Sequence, residues 1–366
     1  MSAHGPMPRS AWIFPLLSVL FFAGAIALGI SFTPSPAGLA FAAALLVILF
    51  GTVFAAVHHA EVIAERIGEP YGTLLLTLAV TIIEVALIDT IMLGEKPVPT
   101  LARDTVFAVV MIVCNGLVGI CILTGALRYR EQDVQVSGSS LYLSVLIVLA
   151  TITLIMPNYT LATPGPVYST LQLDFVSVVT ILLYGVFLYT QTIRHRDYFV
   201  TGAAAAGADN AAHASNRTLG LSIAWLLVSL LAVVGLAKKF SLVVDFATER
   251  IGAPPAFAGV LVALLILLPE GVAAVAAARK NDLQKSINLA LGSSLATIGL
   301  TIPAVATAAY ALDKQLVLGL NEQDTVLLVL TFLLSMLTFG TGRTNILFGL
   351  VHLVVFAVFV FMVFAP

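Results

Sequence analysis

Long apolar stretches alternate along the chain with short clusters of charge, proline and glycine. Apolar runs lie near 11–32, 37–57, 72–93, 105–127, 139–156, 172–193, 219–237, 256–278, 286–311, 324–341 and 344–365. Most approach the ~20 residues that a helix needs to cross a hydrocarbon core of ~30 Å. Barrel strands would instead read as ~10 residues of alternating polarity. The pattern therefore predicts an all-α integral membrane protein with about eleven transmembrane helices. The first run exceeds the ~7–15 apolar residues of a signal-peptide core, so it is expected to be a retained span.

The longest polar connection, residues 194–218, lacks apolar periodicity and reads as a linker between two halves. The halves share a motif, since residues 65–70 read ERIGEP and residues 249–254 read ERIGAP. Each copy precedes an apolar run with one glutamate deep inside it, Glu84 or Glu270. A short polar loop with an aspartate then follows, at Asp104 and Asp282, and after it another apolar run containing small polar residues. The expected organisation is an N-terminus and leading helix (1–36), a five-helix repeat (37–193), a cytoplasmic linker (194–218) and a second five-helix repeat (219–366). An odd number of helices per repeat forces the two to insert in opposite orientations, the inverted arrangement of many transporters.

Composition agrees with this organisation: 60% of the 366 residues are hydrophobic and 10% charged, against about 45–50% and about 25% in soluble domains. A soluble enzyme, a nucleic-acid-binding domain and a disordered chain are excluded, and the net charge of −2 implies no nucleic-acid partner. Lys and Arg accumulate on the cytoplasmic side of membrane proteins. With the N-terminus inside, eleven of the 17 fall in cytoplasmic segments and six, among them Lys96, Lys238 and Lys239, on the other side. The expectation is an inner-membrane protein with a cytoplasmic N-terminus and a periplasmic C-terminus. Cys114 and Cys121 share one apolar run without metal or redox spacing. No HExxH, GxSxG, Walker A or CxxC pattern occurs, so no enzyme activity and no cofactor is expected.

Chemistry then rests on the exceptions to the apolar pattern. Glu84 and Glu270 lie about twelve and fourteen residues into their runs, roughly 18–21 Å along each helix. An acid so deep costs at least ~2.5–3.5 kcal/mol to insert and marks an ion path facing the bundle interior. Two carboxylates that share a site take up protons when no cation holds them together, and a divalent cation displaces those protons. One site can thus hold either Ca²⁺ or H⁺. Hard cations such as Ca²⁺ take six to eight oxygens. Candidate further ligands are Thr81, three residues before Glu84 on the face it shares with Thr77, and Asn115 in the first half, with Ser293 and Thr297 in the second. Pro269 removes one helical hydrogen bond and frees the Leu265 carbonyl, which predicts a broken helix beside Glu270. Asp89 could line the path or cap the surface, His58 and His59 are expected to end the second span, and His352 reads as a lone intramembrane histidine of structural or interfacial role.

These residues resemble the cation/Ca²⁺ exchanger superfamily, and within it the bacterial ChaA-type Ca²⁺/H⁺ antiporters. The resemblance spans nearly the whole chain. Its most specific segments are RIGEPYGTLLLTLAVTIIE ending at Glu84, LARDT at 101–105, LPEG at 268–271, LALGSSLATIGLTIP at 289–303 and TGRTNILFGLVHL at 341–353. The resemblance implies alternating access, with Ca²⁺ and protons competing for Glu84 and Glu270. The superfamily pattern places an Asn three residues before each acid, whereas this chain has Thr81 and Leu267. The linker offers only Asp197 and Asp209, so an acidic ion-collecting helix is not carried over. The partner of Asn115 in the second half is either Ser293 or Thr297. The expected function is export of cytoplasmic Ca²⁺ against incoming protons across the bilayer. Na⁺(K⁺)/H⁺ antiport by the same fold, or a passive cation channel, are the alternatives. Stoichiometry, affinity and oligomeric state are not legible in the chain.

Overall fold

The computed structural model describes residues 8–30, 32–68, 70–92, 98–199 and 216–365. Residues 200–215 of the linker, with Asp209, lie outside the described residues, as do Glu69 and Lys96. Among the described residues eleven helices are long and apolar enough to cross a membrane. In chain order they are α1 (Arg9–Ala27), α2 (Pro36–Ile67), α3 (Tyr71–Met92), α4 (Leu101–Tyr129), α5 (Val136–Tyr159), α6 (Thr170–Arg194), α7 (Asn216–Ile251), α8 (Ala256–Ala278), α9 (Leu283–Ala311), α10 (Glu322–Gly340) and α11 (Ile346–Phe364).

Several expected boundaries move. α2 has 32 residues and α7 has 36, about 48 and 54 Å at 1.5 Å per residue, well beyond a ~30 Å hydrocarbon core. His58 and His59 therefore lie inside α2 instead of ending it, and Lys238 and Lys239 lie inside α7 instead of in an outer loop. The linker shortens correspondingly, because α6 runs to Arg194 and α7 begins at Asn216. Asp104 sits in the first turn of α4, not in a loop, while Asp282 is the N-cap of α9 and accepts from the Lys285 backbone N–H. The polar gap at Gly342-Arg343 leads into a strand, β2 (Arg343–Asn345), that pairs antiparallel with β1 (Glu131–Asp133).

The chain divides into two compact units, residues 1–98 with 206–252, and residues 99–205 with 253–366. The first unit holds α1, α2, α3 and α7. One stripe of α2, from Ala42 through Leu45, Leu49, Val53, Ala56 and Ala60 to Ile63, is buried at steps of three or four residues. A stripe of α7 repeats that spacing at Ser222, Leu226, Ser229, Val233, Leu236, Phe240 and Val243. Such stripes make one continuous packing face, and α2 packs against α1, α3 and α7. The direction of α7 follows from its contacts. Arg66, at the end of α2, donates to Asn216 at the start of α7, while Phe32, just before α2, meets Phe246 near the end of α7 with ring centres 4.9 Å apart. α2 and α7 therefore run antiparallel, with the two ERIG segments at opposite ends. Each motif ends a helix in the same way, with Gly68 and Gly252 at φ of 77° and 64°, a backbone region open to glycine at little cost.

In the second unit α4 is the central helix, buried at nearly every residue from Leu101 to Val118. Lipid tails are as apolar as leucine, so helices associate in a membrane through close packing at small residues and through interhelical hydrogen bonds. Both occur here. A methyl group at Gly259 of α8 would stand 2.7 Å from the Thr105 backbone nitrogen of α4. α4 and α11 likewise approach at Gly119 and Gly349. The ends of α4 show its direction: Gln132, beyond its C-terminus, bonds Asn281 before α9, and Pro99, before its N-terminus, accepts from Val317 after α9. α4 and α9 thus run antiparallel. So do α5 and α10, because Asn158 at the end of α5 bonds Leu320 and Val134 before α5 bonds Gly342. Between α5 and α6, Tyr168 donates to the Ile152 carbonyl, and burial pushes its hydroxyl up to about 12, so it remains a donor at neutral pH.

Candidate functional site

Glu84 lies 13 residues beyond Tyr71 in α3, and Glu270 lies 14 beyond Ala256 in α8. At 1.5 Å per residue each is about 20 Å along its helix, out of reach of either end for a side chain as short as Glu. The two helices belong to different units and are described separately.

In the first unit Glu84 is 1% exposed and Thr81, one turn earlier, is also buried. Ile83, Leu87, Ile88 and Ile91 of the same helix are buried as well. Thr77 and Asp89 on the same helix are half-buried. His59 of α2 is fully buried, with Nε2 2.9 Å from the Ala11 carbonyl of α1. Near the same interface Ser18 of α1 and Thr52 of α2 share a short hydroxyl hydrogen bond.

In the second unit Glu270 is half-buried, with its Oε2 fully shielded from solvent. Contrary to expectation α8 is not broken at Pro269, because the helix is continuous from Ala256 to Ala278. A proline costs its own N–H and displaces one carbonyl, and a helix held on both sides by α4 and α9 absorbs that local loss. Both of those neighbours carry a π-helical turn, as do α5 at Thr151–Ile155 and α6 at Thr190–Arg194. α4 opens into a π-helical turn at Ile112–Leu117 and α9 at Thr297–Thr301. Such turns release backbone groups from the regular ladder and recur at functional sites. Asn115 lies in the first turn, Thr297 begins the second, and Ser293 precedes Thr297 by one α-helical turn. All three are buried. The helices bearing Asn115, Ser293 and Thr297 pack against one another, and α8 packs against both.

The side chain of Asn115 has partners that the sequence does not announce. Its Nδ2 donates to Thr331 Oγ1 of α10 at 2.8 Å, and its Oδ1 lies 3.2 Å from His352 Nδ1 of α11. His352 Nε2 is 2.9 Å from Thr338 Oγ1. Thr331, Asn115, His352 and Thr338 form one buried polar chain across α4, α10 and α11, with the Asn115 amide turned toward α10 and α11. His352 is thus the bridge of this chain, not a lone group. At the other end of α4, Asp104 is held by Arg103 at 2.7 Å and by the Thr100 hydroxyl at 2.8 Å. Cys114 and Cys121 are buried free thiols. Among the described residues no three His, Cys, Asp or Glu side chains cluster as a metal site.

The profile of a family described as sodium/calcium exchanger protein matches residues 36–193 and 221–365. The chain belongs to this family. Among curated relatives it is 45% identical over its full length, and 98% of theirs, to the putative ionic transporter y4hA of Sinorhizobium fredii. It is 38% identical to the sodium-potassium/proton antiporter ChaA of Escherichia coli, over 98% of this chain and 96% of ChaA. A Ca²⁺/H⁺ antiporter of Synechocystis is 25% identical over 66% of this chain and 69% of its own. The fold is that of solved exchangers. YfkE superposes with a TM-score of 0.73 at 16% identity, covering 97% of this chain and all of that one. The H⁺/Ca²⁺ exchanger CAX gives 0.67 at 14% identity, covering 96% and 88%. Membership in the cation/Ca²⁺ exchanger superfamily, with ChaA-type relatives, makes the chain an integral membrane cation transporter.

Proposed function

We propose that the protein is a secondary antiporter that expels cytoplasmic Ca²⁺ in exchange for external protons by alternating access, with Glu84 and Glu270 as the shared carriers of Ca²⁺ and H⁺. The observation that carries this reading is the presence of one shielded glutamate about 20 Å inside a spanning helix after each ERIG turn. Two carboxylates balance a divalent ion, and without the ion they repel unless protonated. Exchange follows, because neither ligand leaves until the other arrives. Thr81 and the π-helical turns of α4 and α9, with Asn115, Ser293 and Thr297, supply neutral oxygens of the kind Ca²⁺ takes. One lone pair of the Asn115 carbonyl oxygen faces His352, which leaves the other for a cation.

The halves 37–193 and 219–366 are read as inverted repeats behind the leading helix 1–36. The antiparallel courses of α2 and α7, α4 and α9, and α5 and α10 support this reading. The protein is placed in the bacterial inner membrane, N-terminus inside and C-terminus outside. Cysteines introduced at Arg66 and Arg250 should then be labelled from opposite sides, and labelling from one side would remove the inversion.

A second reading, Na⁺(K⁺)/H⁺ antiport, is favoured by the name of the 38% identical relative. Everted vesicles with a fixed proton gradient, given Ca²⁺, Na⁺ or K⁺, separate the two. Uphill accumulation of Ca²⁺ supports the first reading, accumulation of only the monovalent ions supports the second, and dissipation without accumulation indicates a channel.

A further inference from the structure

Beside the acid-bearing helix α8, a groove of about 760 Å³ runs between α4, α8 and α11. Its wall over most of its length is apolar. Ile120 of α4 and Leu264, Leu268 and Val272 of α8 stand 40–56% exposed along it, with Phe356 of α11 and Gly271 of α8 as further lining. One end is different in kind, because Arg128 of α4 and Arg279 and Lys280 at the end of α8 converge there. Arg128 Nη1 lies 3.4 Å from the Arg279 carbonyl oxygen, so the two helix ends are held together. All three basic side chains are exposed, and among the described residues none makes a salt bridge.

We infer that this groove is a binding site for an anionic phospholipid, with the headgroup phosphate on Arg128, Arg279 and Lys280 and the acyl chains along α8. Three arguments select this occupant. The apolar wall belongs to membrane-spanning helices, so its surroundings are hydrocarbon. Basic pockets between transmembrane helices at the level of the headgroups bind anionic lipids, because the charge is met where the phosphate lies. The dimensions also fit: Arg279 stands nine residues beyond Glu270, about 13 Å along the helix, close to the ~15 Å depth of one leaflet. A lipid with its phosphate at Arg279 therefore ends its tails beside Gly271 and Val272, next to Glu270. The lipid would pack against the outer wall of the helix that carries the proposed ion ligand, so it is placed to bias any movement of α8. The site needs only the membrane insertion of these helices and stands whether or not the transported ion is Ca²⁺.

The test uses the full chain with a single tryptophan at Ile120, Trp12 and Trp225 being replaced by phenylalanine, reconstituted in phosphatidylcholine vesicles. Brominated-tail phosphatidylglycerol or brominated-tail phosphatidylcholine is titrated in, and quenching reports occupancy of the groove. The expected result is about tenfold preferential quenching by phosphatidylglycerol, lost when Arg128, Arg279 and Lys280 are changed together to Gln. Equal quenching by the two lipids, or a preference that survives the triple change, overturns the proposal. Should the triple variant fail to fold, Lys280→Gln and a salt titration of the unaltered site take its place. A preference unchanged in K280Q and insensitive to salt would count against the site just as directly. Preferential quenching that disappears only with Val272→Phe, and not with loss of charge, would identify an apolar occupant instead and likewise overturn it.

Discussion

The two glutamate helices place their acids in different surroundings. α3 carries Glu84 almost fully buried, has no proline and reaches its acid through Thr81 one turn before. α8 carries Glu270 half-buried, directly after Pro269, and presses its backbone against α4 at Gly259. The first acid is 1% exposed on a helix that is regular throughout, and the second stands on a helix packed beside two others that each loosen into a π-helical turn. The difference teaches that a duplicated acid need not keep a duplicated shell. If the pair works as a unit, the charges must match while the neutral oxygens around them can diverge, as Thr81 and Leu267 at equivalent offsets already show.

The largest effect expected from breaking this comparison comes from removing either charge. Glu84→Gln and Glu270→Gln should each reduce proton-driven Ca²⁺ uptake in everted vesicles to background while the protein still reaches the membrane. Undiminished uptake in one variant would remove that residue from the mechanism. Shortening the acids sharpens the contrast. Glu84→Asp, at an almost fully buried position, should lose more uptake than Glu270→Asp, at a half-buried one, and equal losses would erase the distinction drawn between the two sites.

Smaller effects follow from the neighbours. Pro269→Ala restores a backbone donor to a helix that is already continuous and should leave the cation concentration for half-maximal transport unchanged, and a large rise would show that the proline shapes the site. The polar chain through Asn115 gives a stability effect. Asn115→Ala leaves buried Thr331 and His352 groups unmatched and should cost about 1–3 kcal/mol, read from thermal unfolding in detergent. A double-mutant cycle with His352→Ala should return a coupling of about 1 kcal/mol, and strict additivity would deny the contact. Packing gives a graded pair. Gly259→Ala should destabilise by about 1–3 kcal/mol, since its methyl meets the α4 backbone. Gly271→Ala, whose methyl would stand 3.7 Å from Leu117 Cδ1, should change stability by less than about 0.5 kcal/mol.

Much of this architecture was legible in the sequence because the bilayer imposes it. Eleven apolar runs became eleven spanning helices, and the two acids stood out against a background that excludes charge. What the runs could not reveal was where helices end. α2 continues past His58 and His59 through Glu61 and Glu65, and α7 continues through Lys238, Lys239, Asp245 and Glu249, because charged residues favour helix well enough once outside hydrocarbon. The π-helical turns at Asn115 and Thr297 carry no periodicity that sets them apart from the apolar run on either side. Asn115 and His352 are 237 positions apart, so no local pattern joins them. The β1–β2 pair, three residues a side, is too short to alternate recognisably. Proline at 269 misled in the opposite direction, since the break it suggested was absorbed by packing on both sides.

The claim that one pair of glutamates holds either Ca²⁺ or protons is tested most directly by counting protons. Ca²⁺ added to the purified protein in weakly buffered detergent solution near neutral pH should release protons in proportion to the ion bound. The Glu84→Gln/Glu270→Gln double variant should show neither binding nor release. Ca²⁺ binding that releases no protons from the unaltered protein, or that persists with full release in the double variant, would contradict the account.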